Sequence, residues 1–139
     1  MSKRFCCLLS LVLVIALLSG CSSALKAFLG SEFTLSVGQN ARNASESMEI
    51  KFIAVTEDSR CPKNVQCIQA GKVSCDVEIT KDGVKNHVLL TQTGLTENTN
   101  EYTYQNYTIV FEVSPYPEAG NEIDNGDYRL SLTFNKSTK

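Results

Sequence analysis

The feature that most restricts the fold of this 139-residue chain is an alternation of apolar and polar residues that returns along most of its length. In residues 73–79, for example, an apolar residue stands at every odd position, with Ser74, Asp76 and Glu78 between them. Successive side chains of a β-strand point to opposite faces, so this period of two predicts strands with one buried face. The segments with this alternation are 33–37, 48–54, 73–79, 88–90, 102–104, 107–113 and 128–134.

Turn residues separate these segments and predict how they connect. Asp82-Gly83 favours a type I′ hairpin, because both residues tolerate the positive φ that this turn requires. The phase of the alternation changes at Gln105-Asn106, which predicts a bulge or a bend between two sheets. Pro115 and Pro117 cannot donate to a ladder and should end a strand. Six or seven short strands predict an all-β fold, a single antiparallel β-sandwich of immunoglobulin-like size over residues 32–136, with a small β-barrel as the alternative.

The N-terminal segment has the organisation of an export signal. Lys3 and Arg4 precede the apolar run 5–18, in which only Ser10 is polar. This run is shorter than the roughly 18–20 residues that span a bilayer, and it matches the h-region of a signal peptide. It ends in Leu18-Ser19-Gly20-Cys21, which resembles the lipobox of bacterial lipoproteins.

The lipobox resemblance implies both a location and an attachment. Residues 1–20 would be a signal peptide, and Cys21 would receive a diacyl thioether and an acyl chain such as palmitate on its new amine. We expect residues 22–31, which lack a strand pattern, to form a tether to the sandwich. The protein would then be held at the cell membrane or outer membrane, facing away from the cytoplasm. A plain signal peptide followed by a chance cysteine is the alternative.

The charge of the chain excludes one class of partner. There are 13 basic and 15 acidic residues, and loss of Lys3 and Arg4 leaves 11 basic residues against the same 15 acidic ones. The remaining basic residues are dispersed, without a run of three. This composition argues against nucleic acid as a partner and against a basic membrane-binding patch.

An unusual cysteine motif occupies residues 58–71, with the sequence DSRCPKNVQCIQAG. It resembles a family of prokaryotic lipoproteins and exported β-sandwich proteins. The family pattern is Asp-Ser-Arg-Cys-Pro, two variable residues, an aliphatic residue, one further residue, then Cys-aliphatic-Trp-Ala-Gly. Gln69 stands where the family has Trp. Residues 113–117, Val-Ser-Pro-Tyr-Pro, also resemble the family, so the resemblance extends from about Phe33 to Phe134. It implies no particular activity.

Three cysteines remain once the predicted signal peptide and Cys21 are set aside: Cys61, Cys67 and Cys75. An odd number allows at most one internal disulfide, and we expect Cys61 to pair with Cys67 in the oxidising environment outside the cytoplasm. Cys75 is in phase with the apolar residues of its segment, which predicts a buried free thiol.

A disulfide between Cys61 and Cys67 would present Lys63, Asn64 and Val65 on a small rigid loop. Four interpretations of this loop remain open. It is a structural cross-link on a crossover between sheets, a rigid loop that inhibits a protease or docks an envelope partner, a metal site, or a redox pair. Five intervening residues match neither the usual short spacing of zinc ligands nor the Cys-x-x-Cys of redox sites.

No catalytic constellation emerges from the rest of the chain. His87 is the single histidine and follows a hairpin turn, where we expect it to be solvated. Glu57 and Asp58 are adjacent on a strand and would point to opposite faces, which is poor geometry for a catalytic pair. We expect these carboxylates to be solvated or paired with Arg60.

An oxygen-rich loop that includes Asp124, Asn125 and Asp127 leaves calcium binding as an alternative, but its spacing differs from the EF-hand pattern. A turn before the last strand is the interpretation we favour. The sequence therefore predicts a lipid-anchored, non-enzymatic binding or scaffolding module for an envelope partner, without a cofactor. The alternatives are a protease-inhibitor-like module that uses the loop between Cys61 and Cys67, and a metal-binding sandwich.

Overall fold

The computed structural model describes residues 24–94 and 100–137, so the predicted signal peptide and Cys21 lie outside the described residues. Within these two ranges the chain forms nine strands, one short 3₁₀ helix and no α-helix. No helix in this part of the chain is long and apolar enough to cross a membrane. The elements are β1 (Leu25–Lys26), β2 (Glu32–Ser36), β3 (Asn40–Asn43), β4 (Met48–Asp58), β5 (Lys72–Lys81), β6 (Val84–Thr93), β7 (Asn100–Tyr104), β8 (Tyr107–Ser114), the 3₁₀ helix (Asn125–Asp127) and β9 (Arg129–Lys136).

The strands form two sheets that pack against each other. The first sheet has the order β1-β3-β4-β5-β6, and the second has the order β2-β9-β8-β7. The paired strands are antiparallel except for β1 and β3, which are parallel. The two sheets do not close into a barrel. The predicted all-β sandwich is therefore confirmed, and the small-barrel alternative is wrong.

The alternating residues of the sequence form the inner faces of the two sheets. In β5, the side chains of Val73, Cys75, Val77 and Ile79 are completely buried. Removal of such apolar side chains from water is the main driving force for folding. Further members of the same buried core, drawn from both sheets, are Leu35, Ile50, Phe52, Leu90, Ile109, Phe111, Leu130, Leu132 and Phe134.

Two tight turns connect neighbouring strands. Asp82 and Gly83 have φ angles of 50° and 82°, the left-handed values predicted for the type I′ turn between β5 and β6. Gln105-Asn106 forms a second two-residue turn, because Tyr104 of β7 and Tyr107 of β8 are register partners. The bulge or bend expected at this point is therefore wrong. The change of phase marks a hairpin, in which Gln105 takes a φ of 54°.

Two features of the first sheet differ from a simple alternation. Strand β3 has no run of large apolar residues, yet alternate side chains are buried where it pairs with β4. Strand β4 shifts its register against β5 twice, after Phe52 and after Val55. These shifts are β-bulges, which turn the strand locally and explain why apolar residues occupy both of its faces.

Residues 24–31 are not the free tether that we expected. Leu25–Lys26 pair with β3, and the N–H of Ala27 donates to the carbonyl of Arg42 at 2.9 Å. Ala27 is buried, and the N–H of Gly30 donates to a β9 carbonyl at 2.8 Å. A short edge strand satisfies its backbone groups without needing an alternating sequence. The boundary placed at residue 32 is therefore too late.

Candidate functional site

The cysteine motif forms a loop at one end of the sandwich. Residues 59–71, named here the Cys loop, connect the end of β4 at Asp58 to the start of β5 at Lys72. Because β4 and β5 are neighbours in one sheet, the Cys loop is a long hairpin connection. The expected crossover between sheets is therefore wrong.

A disulfide closes the Cys loop, as the sequence predicts. Cys61 and Cys67 are bonded, with Cα atoms 6.0 Å apart. Cys61 is buried, and its N–H donates to the carbonyl of Ala70 at 2.9 Å, so the base of the loop is also held. Two sulfurs bonded to each other are not the thiolates that a metal ion needs. The geometry therefore gives no support to a metal site at these cysteines.

Arg60 lies fully buried at the base of the Cys loop and joins it to the opposite sheet. Its Nε and Nη2 donate to the two carboxylate oxygens of Asp58 at 2.9 and 2.6 Å. Its Nη1 donates to the carbonyl of Val113 at 2.9 Å, and Nη2 also donates to that of Pro115 at 2.8 Å. The planar guanidinium suits this combination of a bidentate pair and two carbonyls. Arg60 thus pairs with Asp58 as expected, but inside the protein and with further partners at Val113 of β8 and at Pro115 just after it.

Asp58 receives a further hydrogen bond from the residue that precedes β9. Its carboxylate is 11% exposed and accepts from the hydroxyl of Tyr128 at 3.0 Å. Burial acts to raise the pKa of Asp58, but the hydrogen bonds and charge of Arg60, with the Tyr128 bond, lower the pKa from its ordinary 3.8. Burial and the bond to Asp58 raise the pKa of Tyr128 to about 12. At neutral pH the carboxylate is therefore ionised and the phenol remains a donor.

Residues 113–117 contact the Cys loop directly. The guanidinium carbon of Arg60 lies 5.0 Å from the centroid of the Tyr116 ring, and Nζ of Lys63 lies 6.0 Å from it. Both distances fall within the range of cation–π attraction. The N–H of Lys63 donates to the carbonyl of Pro117 at 3.0 Å. The motifs at residues 58–71 and 113–117 therefore form one structural unit.

Two glycines permit the close backbone approach around this unit. A Cβ at Gly71 would lie 1.8 Å from the carbonyl oxygen of Ser59, and Gly71 has a φ of 68°. A Cβ at Gly94 would lie 2.2 Å from the carbonyl oxygen of Ala70. Any larger residue at either position would push the Cys loop away from its strands.

The outer part of the Cys loop exposes two apolar side chains. Val65 is 45% exposed, and Ile68 is completely exposed. We call these two residues the apolar tip. Lys63 and Asn64 are also exposed, and Asn64 has a φ of 64°. Asn64 is left-handed and interrupts an extended backbone. Residues 63–65 therefore lack the continuous strand conformation in which a peptide pairs with a sheet edge.

Other candidate groups lie on the first sheet, away from the apolar tip. His87 is exposed, with Nδ1 3.2 Å from a carboxylate oxygen of Asp76 and Nε2 3.8 Å from Glu78. Cys75 is a free thiol buried in the core, as expected. Burial and the charge of Asp76 raise the pKa of Cys75 to about 12. A thiol in this environment is not a nucleophile at neutral pH.

The oxygen-rich loop before β9 borders a groove of about 230 Å³. Asp127 and Tyr116 line this groove, together with Glu118 and Glu122. Within residues 24–94 and 100–137 there is no group of three or more His, Cys, Asp or Glu side chains that could hold a metal ion. The calcium alternative therefore gains no support from the geometry.

The fold and the site define a β-sandwich domain that presents a disulfide-closed loop fastened by a buried arginine. No protein-family model, curated protein or solved structure matches this chain. Sequence reasoning missed the attachment of Arg60 to β8. The one signal that could have indicated it is the joint occurrence of the motifs at residues 58–71 and 113–117.

Proposed function

We propose that this protein is a lipid-anchored, non-enzymatic binding module of the cell envelope that docks a partner protein through the apolar tip. The sequence pattern of residues 1–21 supports the export signal and the lipid on Cys21. The docking proposal rests chiefly on Ile68, a large apolar side chain that is completely exposed on a loop held at several points. Exposed apolar groups gathered on a fixed scaffold are typical of interaction sites.

The rigidity of the Cys loop supports binding because its order is established before a partner arrives. The disulfide closes the loop, and the main chain of Lys63 is bonded to Pro117. Arg60 fixes its base to the opposite sheet. A loop that is already ordered loses little conformational entropy in a complex, which favours affinity.

The apolar tip suits an apolar pocket with a polar rim. Gln66 and Gln69, which are exposed beside Val65 and Ile68, can hydrogen-bond to such a rim. In the family that this chain resembles, Trp stands at the position of Gln69, where it would enlarge the same apolar surface. Full burial of an aliphatic side chain contributes about 1.5–3 kcal/mol, so truncation of Ile68 should weaken a complex by roughly 10- to 150-fold.

The test is site-specific photo-crosslinking in the native cells. A photoreactive amino acid replaces Ile68 in the full chain, and a matched variant carries it at Leu89, which is 58% exposed on β6. We expect a defined adduct at position 68 that the Leu89 variant does not give. The purified partner should then bind the wild-type protein more tightly than Ile68→Ala, while Leu89→Ala binds as the wild type does.

Two results would contradict the proposal. One is an identical set of adducts from both photoreactive positions, or a partner whose affinity is unchanged by Ile68→Ala. The other is robust hydrolytic turnover by the purified domain, which would make it an enzyme.

A further inference from the structure

Apolar side chains are also concentrated at the start of the described chain. Leu25 is 42% exposed, Phe28 is 64% exposed and Leu29 is 37% exposed. These three lie within five consecutive residues, and we name them the N-terminal apolar patch. In the described residues, the other large apolar side chains that are exposed are Val65, Ile68, Val84 and Leu89. Such a concentration is more than the isolated apolar residues that are normal on a surface.

The N-terminal apolar patch is part of the folded domain and cannot move freely. Leu25–Lys26 form β1 beside β3, and Ala27 is buried with its N–H bonded to Arg42. The N–H of Gly30 is bonded to β9, so both sheets hold this segment. The position of the patch relative to the sandwich is therefore fixed.

The patch lies at the end of the sandwich opposite the Cys loop. Arg42, whose carbonyl accepts from the N–H of Ala27, is in register with Glu49, near the first residue of β4. The Cys loop follows Asp58, the last residue of β4. At about 3.3 Å per residue, the length of β4 separates the two ends by about 30 Å. The patch and the apolar tip are therefore distinct surfaces at opposite ends of the sandwich.

We infer that the N-terminal apolar patch inserts into the interfacial layer of the bilayer that holds the Cys21 lipid, so that the domain rests on the membrane in a fixed orientation. The inference depends on the lipid anchor of the proposed function. Four residue steps join Cys21 to Leu25, and a chain of that length reaches at most about 14 Å. Apolar side chains in peripheral contact are buried about 5–10 Å into the boundary of headgroups and acyl chains.

The short connection between Cys21 and Leu25 thus favours the bilayer as the partner that covers this patch. A lipid on Cys21 keeps Leu25 within about 14 Å of the anchored cysteine whatever path the connection takes. Removal of Phe28 and the two leucines from water then favours contact with the lipid over a position above it. The Cys loop, at the far end of the sandwich, is directed away from the membrane towards a partner.

The absence of tryptophan from the whole sequence provides a clean test. Phe28→Trp adds a single indole to the patch, and Ile68→Trp adds one to the apolar tip as a matched control. Each full-length variant is purified with its native lipid and incorporated into phosphatidylethanolamine–phosphatidylglycerol vesicles, with and without brominated acyl chains that quench indole fluorescence on contact. Mass spectrometry of Cys21 and vesicle flotation verify the anchor in the same samples.

We expect the Phe28→Trp emission to shift to the blue and to be quenched several-fold by brominated lipid, while the Ile68→Trp emission stays unchanged. Adding Leu25→Ser and Leu29→Ser to the Phe28→Trp variant should reduce that quenching. If the acylated variant floats with the vesicles and its indole is not quenched, the inference is overturned and the anchor stands. A blue shift without quenching, together with cross-linked dimers, would assign the patch to a second copy and also overturn it. An unacylated protein that remains in the aqueous fraction would overturn the anchor and the inference together.

Discussion

Replacement of Arg60 by alanine should destabilise the domain far more than the loss of an ordinary surface charge. The guanidinium is completely buried, and its partner Asp58 is only 11% exposed. Without Arg60, the Asp58 carboxylate would keep the Tyr128 hydroxyl at 3.0 Å and lose its cation. Removal of one member of a buried ion pair typically costs about 3–5 kcal/mol. The carbonyls of Val113 and Pro115 would also lose donors, at about 1–3 kcal/mol for each group that water does not reach.

Urea denaturation followed by circular dichroism measures this loss, with the disulfide intact in every sample. A slope of about 1–1.5 kcal/mol per molar urea converts 3–5 kcal/mol into a midpoint shift of about 2–5 M. Arg60→Lys retains the charge but not the planar fork, so we expect a smaller loss of about 1–3 kcal/mol. This second variant keeps the comparison measurable if Arg60→Ala does not fold.

Lys72→Ala is the matched control. Lys72 pairs with Glu57 at 3.2 Å, and both side chains are about half exposed, at 50% and 46%. Such a solvated pair is worth about 0–1 kcal/mol. If Arg60→Ala and Lys72→Ala shift the midpoint equally, the buried Arg60 network does not stabilise the domain and does not hold the Cys loop.

Three further outcomes follow from the same geometry. The pKa of Asp58 is lower in the folded than in the unfolded chain. Its contribution to folding stability is therefore complete above the unfolded pKa and is lost as the pH falls through the folded pKa. The urea midpoints of wild type and Asp58→Asn should differ at neutral pH and converge in acid. Cys75 is buried and its pKa is raised to about 12, so iodoacetamide should modify it only after unfolding. Cys67 is exposed, so mild reduction of the disulfide should make it the first cysteine to be alkylated. Mass spectrometry measures both outcomes. Gly71→Ala should lower the free energy of unfolding by at least about 2 kcal/mol, because the new Cβ would meet Ser59 and the residue would remain left-handed. Gly83→Ala is the control and should lower it less, because nothing lies within 4 Å of a Cβ there. Thermal unfolding measures both.

The sandwich was predictable because most of its strands bury one face. In β8 and β9, the side chains alternate so regularly that the sequence alone separates inner from outer residues. The Asp82-Gly83 turn was predictable for a similar reason, since its chemistry is local. Local information also sufficed for the disulfide, because Cys61, Cys67 and Cys75 leave few pairings.

Strands stabilised by their neighbours were not predictable in this way. β1 and β3 contain few large apolar residues, and their backbones become ordered by pairing with the rest of the sheet. Gln105-Asn106 lacks the glycine that usually marks a two-residue hairpin, so its change of phase was open to another interpretation. In each case a tertiary contact determines the local conformation.

The site was less predictable than the fold because its main residue acts over a long sequence distance. Arg60 binds carbonyls that are 53 and 55 positions away, at Val113 and Pro115. The sequence places a cation beside Asp58 and gives no measure of its burial. Only the packing of the two sheets against each other brings the end of β8 beneath the Cys loop.

The long outer strand β6 has a consequence for the behaviour of the protein when it is crowded. β6 ends its sheet in the described part of the chain, and its ten residues offer a row of backbone groups to any second edge that approaches. Lys85 and His87 stand exposed along this edge, and Lys85 is held by Glu78 at 2.9 Å. Charged side chains on an edge strand oppose its pairing with another copy, since their water would have to be removed. We therefore expect neutral substitutions at these positions to favour edge-to-edge aggregation without disturbing the core.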